Sequence, residues 1–276
     1  MSARTVIEVK AVDAGPPRPY GPRAEEQRSG WSGLYRVAGV AALAVVALIP
    51  IQATVYILWP PPATVRDYFS IFQSNVLLGM LDLDLLLIVD QLLIMAVLLG
   101  LYPALRRTDE SVTLIGTAAG LVGAVLFIVS REATFSMLSL SQQYVVATSE
   151  PERAALVAAG QTMLTVYNGT SFSLGYFLSG VAMLLVSTVM LRGKLFSRTT
   201  GIAGVVAGVT GLVPANMGIL GFVMSFISLL PLVVWLILVG RRLLQLGSGA
   251  DRQASADGFG GWQGSGQDRW RWVRRT

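Results

Sequence analysis

The chain has 276 residues, 53% hydrophobic and 13% charged, with a net charge of +5 and a mean hydropathy of +0.61. Soluble domains carry about 25% charged residues, so half that share with long uncharged runs places this chain in a lipid bilayer. The absence of cysteine and histidine excludes disulfides, thiolate nucleophiles, imidazole metal sites and the usual base of serine hydrolases.

Residues 1–33 are polar, with Pro16, Pro17, Pro19 and Pro22 set among mixed charges. They read as a disordered cytoplasmic tail. The tail has no apolar run of the kind a cleaved signal peptide needs, so the first apolar segment is expected to serve as an uncleaved anchor. Residues 34–246 read as a transmembrane domain of six spans. The first, Val37 to Leu58, is flanked by Trp31, Tyr35, Tyr56 and Trp59, where an interfacial aromatic belt would lie. The second runs from about Leu83 to Leu105, the third from Val112 to Ser130 and the fourth from Phe172 to Leu191. A short fifth covers Thr199 to Pro214, and the sixth covers Gly218 to Gly240. Pro50 and Pro231 are expected to kink the first and last spans.

With the N-terminus inside, 18 of the 21 basic residues fall on inside segments, and only Arg66, Arg131 and Arg153 lie outside. Both termini are therefore expected in the cytoplasm, in a cell (inner) membrane protein. The basic balance is ascribed to loop orientation and to anionic lipid headgroups at the cytoplasmic face, not to nucleic acid.

The largest connection outside, residues 131–171, is expected to hold a helix. "SEPE", Ser149 to Glu152, is a capping box with proline in the first turn, and a break is expected at "NGT", Asn168 to Thr170. Residues 247–276 read as a flexible tail ending in "DRWRWVRRT", whose Trp270 and Trp272 stand among arginines.

Two glycine stripes stand out: Gly116, Gly120 and Gly123 in the third span, and Gly201, Gly204, Gly208 and Gly211 in the fifth. Such spacing lines one helix face and lets backbones approach closely in lipid, so these two helices are expected to be tightly packed. The segments also resemble one another, which hints at a duplicated hairpin.

The second span carries Asp82, Asp84 and Asp90. Counting back from Leu105, about 20 residues cross the ~30 Å core. This puts Asp82 and Asp84 in the headgroup zone and Asp90 roughly 6 Å inside. Arg131 and Glu132 close the third span at the same level, with Gln142, Gln143 and Tyr144 placed to cover them. Asp90 is accordingly expected to pair with Arg131. Three readings of the cluster remain open: a structural ion pair, a site for a cation, proton or polar solute, and carboxylate chemistry. The enzyme reading has no further support, because no phosphate loop, H-E-x-x-H or G-x-S-x-G motif is present. No catalytic residue, metal site or cofactor is assigned. The functional expectation is an acidic outer site that binds or moves a small solute or ion. The alternative is a non-transporting structural or interaction protein of the envelope.

"LYRVAGVAAL" (Leu34 to Leu43), "LLGLYPALRR" (Leu98 to Arg107), Arg131 with Glu132 and Ala133, and "LRGKLFSRTTGIAGVVAG" (Leu191 to Gly208) stand in this order. Together they resemble a bacterial integral-membrane family, domain of unknown function 4386, over roughly Leu34 to Leu246. The resemblance implies an all-α bundle of six transmembrane helices with one helical extracytoplasmic loop, and assigns no activity.

Overall fold

A computed structural model of the chain describes residues 30–58, 62, 64–80 and 84–264. Ten helices make up the described residues: α1 (Ser32–Leu58), α2 (Val65–Ser74), α3 (Val76–Met80), α4 (Leu86–Leu105), α5 (Glu110–Ser130), α6 (Glu132–Val146), α7 (Glu150–Tyr167), α8 (Thr170–Arg192), α9 (Arg198–Thr210) and α10 (Gly218–Gly264). No strand occurs among them.

Five stretches are long and apolar enough to cross a membrane: Ser32–Val55, Leu86–Leu105, Glu110–Val146, Glu150–Arg192 and Gly218–Gly249. The expected fifth span falls short. α9 has 13 residues, about 20 Å of helix against a core of about 30 Å. The sequence "GLVPANMG" stops it. Pro214 has no N–H to continue the ladder, and Gly218 adopts a φ of 63°, a left-handed conformation that suits glycine. Residues 211–217 nevertheless carry the chain along the rest of α8. Gly211 lies against Gly180, and Asn216 Nδ2 donates to the Asn168 carbonyl at the start of α8, 2.7 Å away.

Six helices close into a ring, each packed on two neighbours in the order α1, α4, α5, α8, α9, α10 and back to α1. At one end the ring is filled by a continuous apolar core. It includes Ala38, Ala42 and Val45 of α1, Val97, Leu101 and Leu105 of α4, Val189 and Met190 of α8, and Trp235, Leu236 and Leu243 of α10. Basic residues gather at this same end. Arg192 pairs with Asp109, the N-cap of α5, at 3.2 Å, Arg242 Nε donates to the Leu195 carbonyl at 2.9 Å, and Arg106 stands over the Trp31 ring.

The other end carries a cap with its own apolar core. Val65, Tyr68, Phe69 and Phe72 of α2 pack on Met137 of α6, with Val157 and Leu164 of α7 beside them. The α2 residues recur at helical spacing, and the helix opens on a capping box in which Thr64 and Asp67 bond reciprocally. This helix belongs to none of the six sequence-predicted spans. The connection at residues 131–171 forms two helices rather than one. Ser149 caps the second, and the break at Asn168 and Gly169 falls as expected.

The predicted flexible tail also differs. α10 continues to Gly264, past residue 247 where the tail was expected to begin. The Trp270 and Trp272 segment, and residues 1–29 of the N-terminal tail, lie outside the described residues.

The glycine stripes sit at the tightest helix contacts. A Cβ on Gly123 would meet the Gly175 carbonyl and Ser179 Oγ, both at 2.9 Å, and one on Gly175 would meet the Gly123 carbonyl at 2.8 Å. Gly116 and Gly120 face Val186 and Ala182 of the same helix, α8. In α9, Gly201 faces Leu191, Gly204 faces Ser187 and Trp235, and Gly208 faces Leu184. Two backbones in contact cannot both give way, so Gly123→Ala is expected to destabilise by about 1–3 kcal/mol through overpacking. Thermal unfolding in detergent would show this as a lowered Tm, with Gly33→Ala, which meets nothing, as the neutral control.

Candidate functional site

Arg131 occupies the junction of α5 and α6, and it is the largest fully buried side chain in the described protein. Its backbone N–H still bonds to the Ile128 carbonyl, so the guanidinium sits beside the carbonyl end of α5, where a cation is favoured. Nη1 donates to Asp84 Oδ1 at 3.0 Å, and both side chains are 2% exposed. Nε donates to Ser130 Oγ at 3.0 Å and Nη2 to the Tyr167 carbonyl at 3.4 Å. Three rings surround the cation: Tyr167 at 3.9 Å, Phe127 at 4.8 Å and Phe172 at 5.1 Å. A desolvated cation over aromatic faces gains about 2 kcal/mol or more.

Asp84 is equally well held. The Tyr167 hydroxyl donates to Oδ1 at 3.0 Å, and the Thr134 hydroxyl donates to Oδ2. Asp84 and Leu85 form a wide π-type turn leading into α4. This turn carries the carboxylate back beneath the cap instead of out toward the headgroups. The expected partners are thus corrected: Arg131 pairs with Asp84, not Asp90. The length count considered the second and third spans alone, whereas Thr134 of α6 and Tyr167 of α7 also enclose this position.

The other predicted site residues do not join the pair. Glu132 is exposed in the first turn of α6. Asp82 lies outside the described residues. Gln143 is exposed and bonds to Ser139, and Tyr144 packs on Phe69 in the cap, so neither covers the ion pair. Thr134 and Tyr167 were missed. Thr134 follows Arg131 by one helical turn, a weak local signal. Tyr167 comes from α7 and leaves none.

Asp90 stands apart. It is half-buried on α4, and its Oδ1 is fully enclosed without a hydrogen-bond partner. Thr117 Oγ1, Ser187 Oγ and Trp235 Nε1 also lack partners, but these groups are neutral and cost less to bury than a carboxylate. Asp90 shares a helix face with Leu93, Val97, Leu101 and Leu105, which follow it at three- and four-residue steps into the apolar core.

Its level in the ring follows from the antiparallel contacts. Gly100 lies against Ala38, and Gln52 Nε2 donates to the Leu86 carbonyl at 3.3 Å, which puts Asp90 opposite Leu48 of α1. Gly240 lies against Gly39 and Ala42, and Gly247 against Arg36, which brings Pro50 opposite Pro231. The unpartnered carboxylate and two prolines, each inside a continuous helix, therefore share one layer, on top of the apolar core. Among the described residues no three acidic side chains gather as a metal-binding cluster.

A profile of the family described as "Domain of unknown function (DUF4386)" matches residues 34–242. The chain belongs to this family. The matched region runs from the start of α1 into α10 and takes in the whole ring, the cap, Asp84, Asp90 and Arg131. No match was found among curated proteins or among solved structures. Membership in the family and the five long apolar helices identify a multi-pass membrane protein.

Removing one partner of a buried, hydrogen-bonded pair strands the other, at about 3–5 kcal/mol. Asp84→Asn is expected to lower the detergent Tm strongly, and the double variant Asp84→Asn with Arg131→Met to recover part of the loss. Pairing Arg131→Met with Asp90→Asn should give no recovery, because Arg131 does not touch Asp90. A double-mutant cycle read by thermal unfolding checks both statements.

Proposed function

We propose that this protein is a six-crossing carrier of the cell (inner) membrane, with both termini cytoplasmic, that takes up a proton or small monovalent cation at Asp90. The observation that carries the reading is the enclosed Oδ1 of Asp90, a carboxylate oxygen without a partner inside a membrane-spanning helix. Charged groups at this depth are costly and mark ion or proton paths when they face a bundle interior. A bound proton or cation would supply the partner that the chain itself does not.

The sixth crossing is α9 together with residues 211–217, which between them run the height of α8. Irregular backbone is tolerated at membrane depth only where protein or a wet cavity surrounds it. The basic residues at the core-filled end support a cytoplasmic assignment for that end, where they would meet anionic headgroups. The cap, with Asp84 and Arg131, then faces outside.

A second reading, a non-transporting structural protein of the envelope, draws on the saturated Asp84–Arg131 network, which leaves that pair no free valence for a solute.

Purified protein in vesicles carrying an imposed pH or Na⁺ gradient distinguishes the two. The native protein is expected to dissipate one of these gradients, and Asp90→Asn to abolish the flux with an unchanged Tm. A native protein that dissipates neither, or an Asp90→Asn variant that conducts as well as the native protein, would overturn the carrier reading. Topology has its own check: a periplasmic reporter fused after Arg107 is expected to be inactive, and activity there would reverse the orientation.

A further inference from the structure

We infer that water enters the ring from the cap end through a hydroxyl-lined seam between α8 and α10, and that this seam delivers a proton to Asp90. The inference rests on the reading of Asp90 as the uptake site and adds the species and its route.

Three observations place the entrance. First, α9 ends at Thr210; residues 211–215 continue against Gly180 of α8 and Gly221 of α10, and beside them α8 and α10 meet through the Tyr176 hydroxyl and Ser225 Oγ, 2.9 Å apart. Second, polar side chains follow this contact inward. Exposed Asn216 donates to the Asn168 carbonyl and to Ser173 Oγ at 3.1 Å. The half-buried Tyr176–Ser225 pair comes next, and then Ser228, 9% exposed.

Ser228 lies on the α10 face that carries Leu232, Trp235 and Val239 into the core, so it points into the ring interior, as Asp90 does from α4. It stands about one and a half turns, or about 8 Å, toward the cap from the Asp90 layer. Third, the opposite direction is closed. Val97, Leu101 and Leu105 lie below Asp90 among buried residues of four other segments.

The lining selects the species. Ser225 and Ser228 donate to their own helix, to the Gly221 carbonyl at 2.8 Å and the Ser225 carbonyl at 2.7 Å; Ser225 then accepts from the Tyr176 hydroxyl and keeps one lone pair, while Ser228 keeps both. Hydroxyls accept as well as donate, which suits a proton carried on water. A dehydrated metal ion asks for a shell of oxygen ligands, commonly carboxylates, and the seam supplies none before Asp90.

Because the chain contains no cysteine, single introduced thiols report accessibility without background. The variants are Asn216→Cys at the mouth, Ser225→Cys and Ser228→Cys along the seam, and Leu101→Cys in the core. Each is treated, in sealed vesicles, with a membrane-impermeant cationic methanethiosulfonate from the cap side. The expected result is modification of the first three and none of Leu101→Cys, with proton flux lost once Ser225→Cys is modified.

Modification of Asn216→Cys without modification of Ser225→Cys or Ser228→Cys overturns the seam. So does undiminished flux after complete modification at Ser225→Cys. Failure of the two ideas can be told apart. Asp90-dependent flux with an unreactive seam overturns the route alone. Reactive seam thiols in a protein whose flux does not depend on Asp90 overturn the uptake site.

Discussion

The ion pair between Asp84 and Arg131 is the contact on which the arrangement of the cap end depends. It joins the turn before α4, the α5–α6 junction and the end of α7, while Phe172 adds the start of α8. Desolvating two charges is expensive, and the expense is offset only when the remaining donors and acceptors are also satisfied. Here they are: both Asp84 oxygens accept, and the guanidinium bonds on three sides and lies among three rings. A pair of this kind strongly favours one arrangement of the elements it joins, because any other leaves a charge unpartnered in a dry site.

Asp84, in the turn before α4, and Asp90, within it, show how environment divides residues of one type. Asp84 and Asp90 are six positions apart, about 9 Å along a helix. One is saturated by hydroxyls and a cation, and the other keeps an enclosed oxygen with nothing to accept from. A layer containing Asp90, Pro50 and Pro231 marks where the buried apolar core ends. Small residues act lower in the ring, where Gly120, Gly204 and Gly208 bring backbones close enough that dispersion replaces the missing hydrophobic drive.

Much of this was legible in the sequence because the bilayer imposes length and composition on a helix. The apolar runs gave the long helices, Ser149 and Asn168 gave the limits of α7, and the position of Arg131 pointed to a paired charge at one end. What was not legible depends on contacts distant along the chain. Tyr167 reaches Asp84 from 83 residues away, and no spacing rule connects them. α2 was readable in principle from Thr64, Asp67 and the Val65, Tyr68, Phe69, Phe72 pattern, but ten residues of modest hydropathy are obscured beside long apolar spans. The end of α9 at Thr210 came from Pro214 and Gly218, whose punctuation outweighed the apolar residues around them.

Two long helical stretches, Glu110–Val146 and Glu150–Arg192, have a mechanical consequence. α5 continues into α6 through the helical backbone of Arg131, whereas α7 and α8 are jointed at Asn168 and Gly169, so the cap hairpin is carried on one near-continuous helix and one hinged one. Arg131 and Tyr167 bind the two connections together where they leave the ring, as a fulcrum would. A sideways load on the hairpin tip near Ala147 would act through a lever arm of about 24 Å. The tightly matched contact of Gly123 with Gly175 lies on the other side of the same pivot, so strain applied above it would be felt first between these two helices.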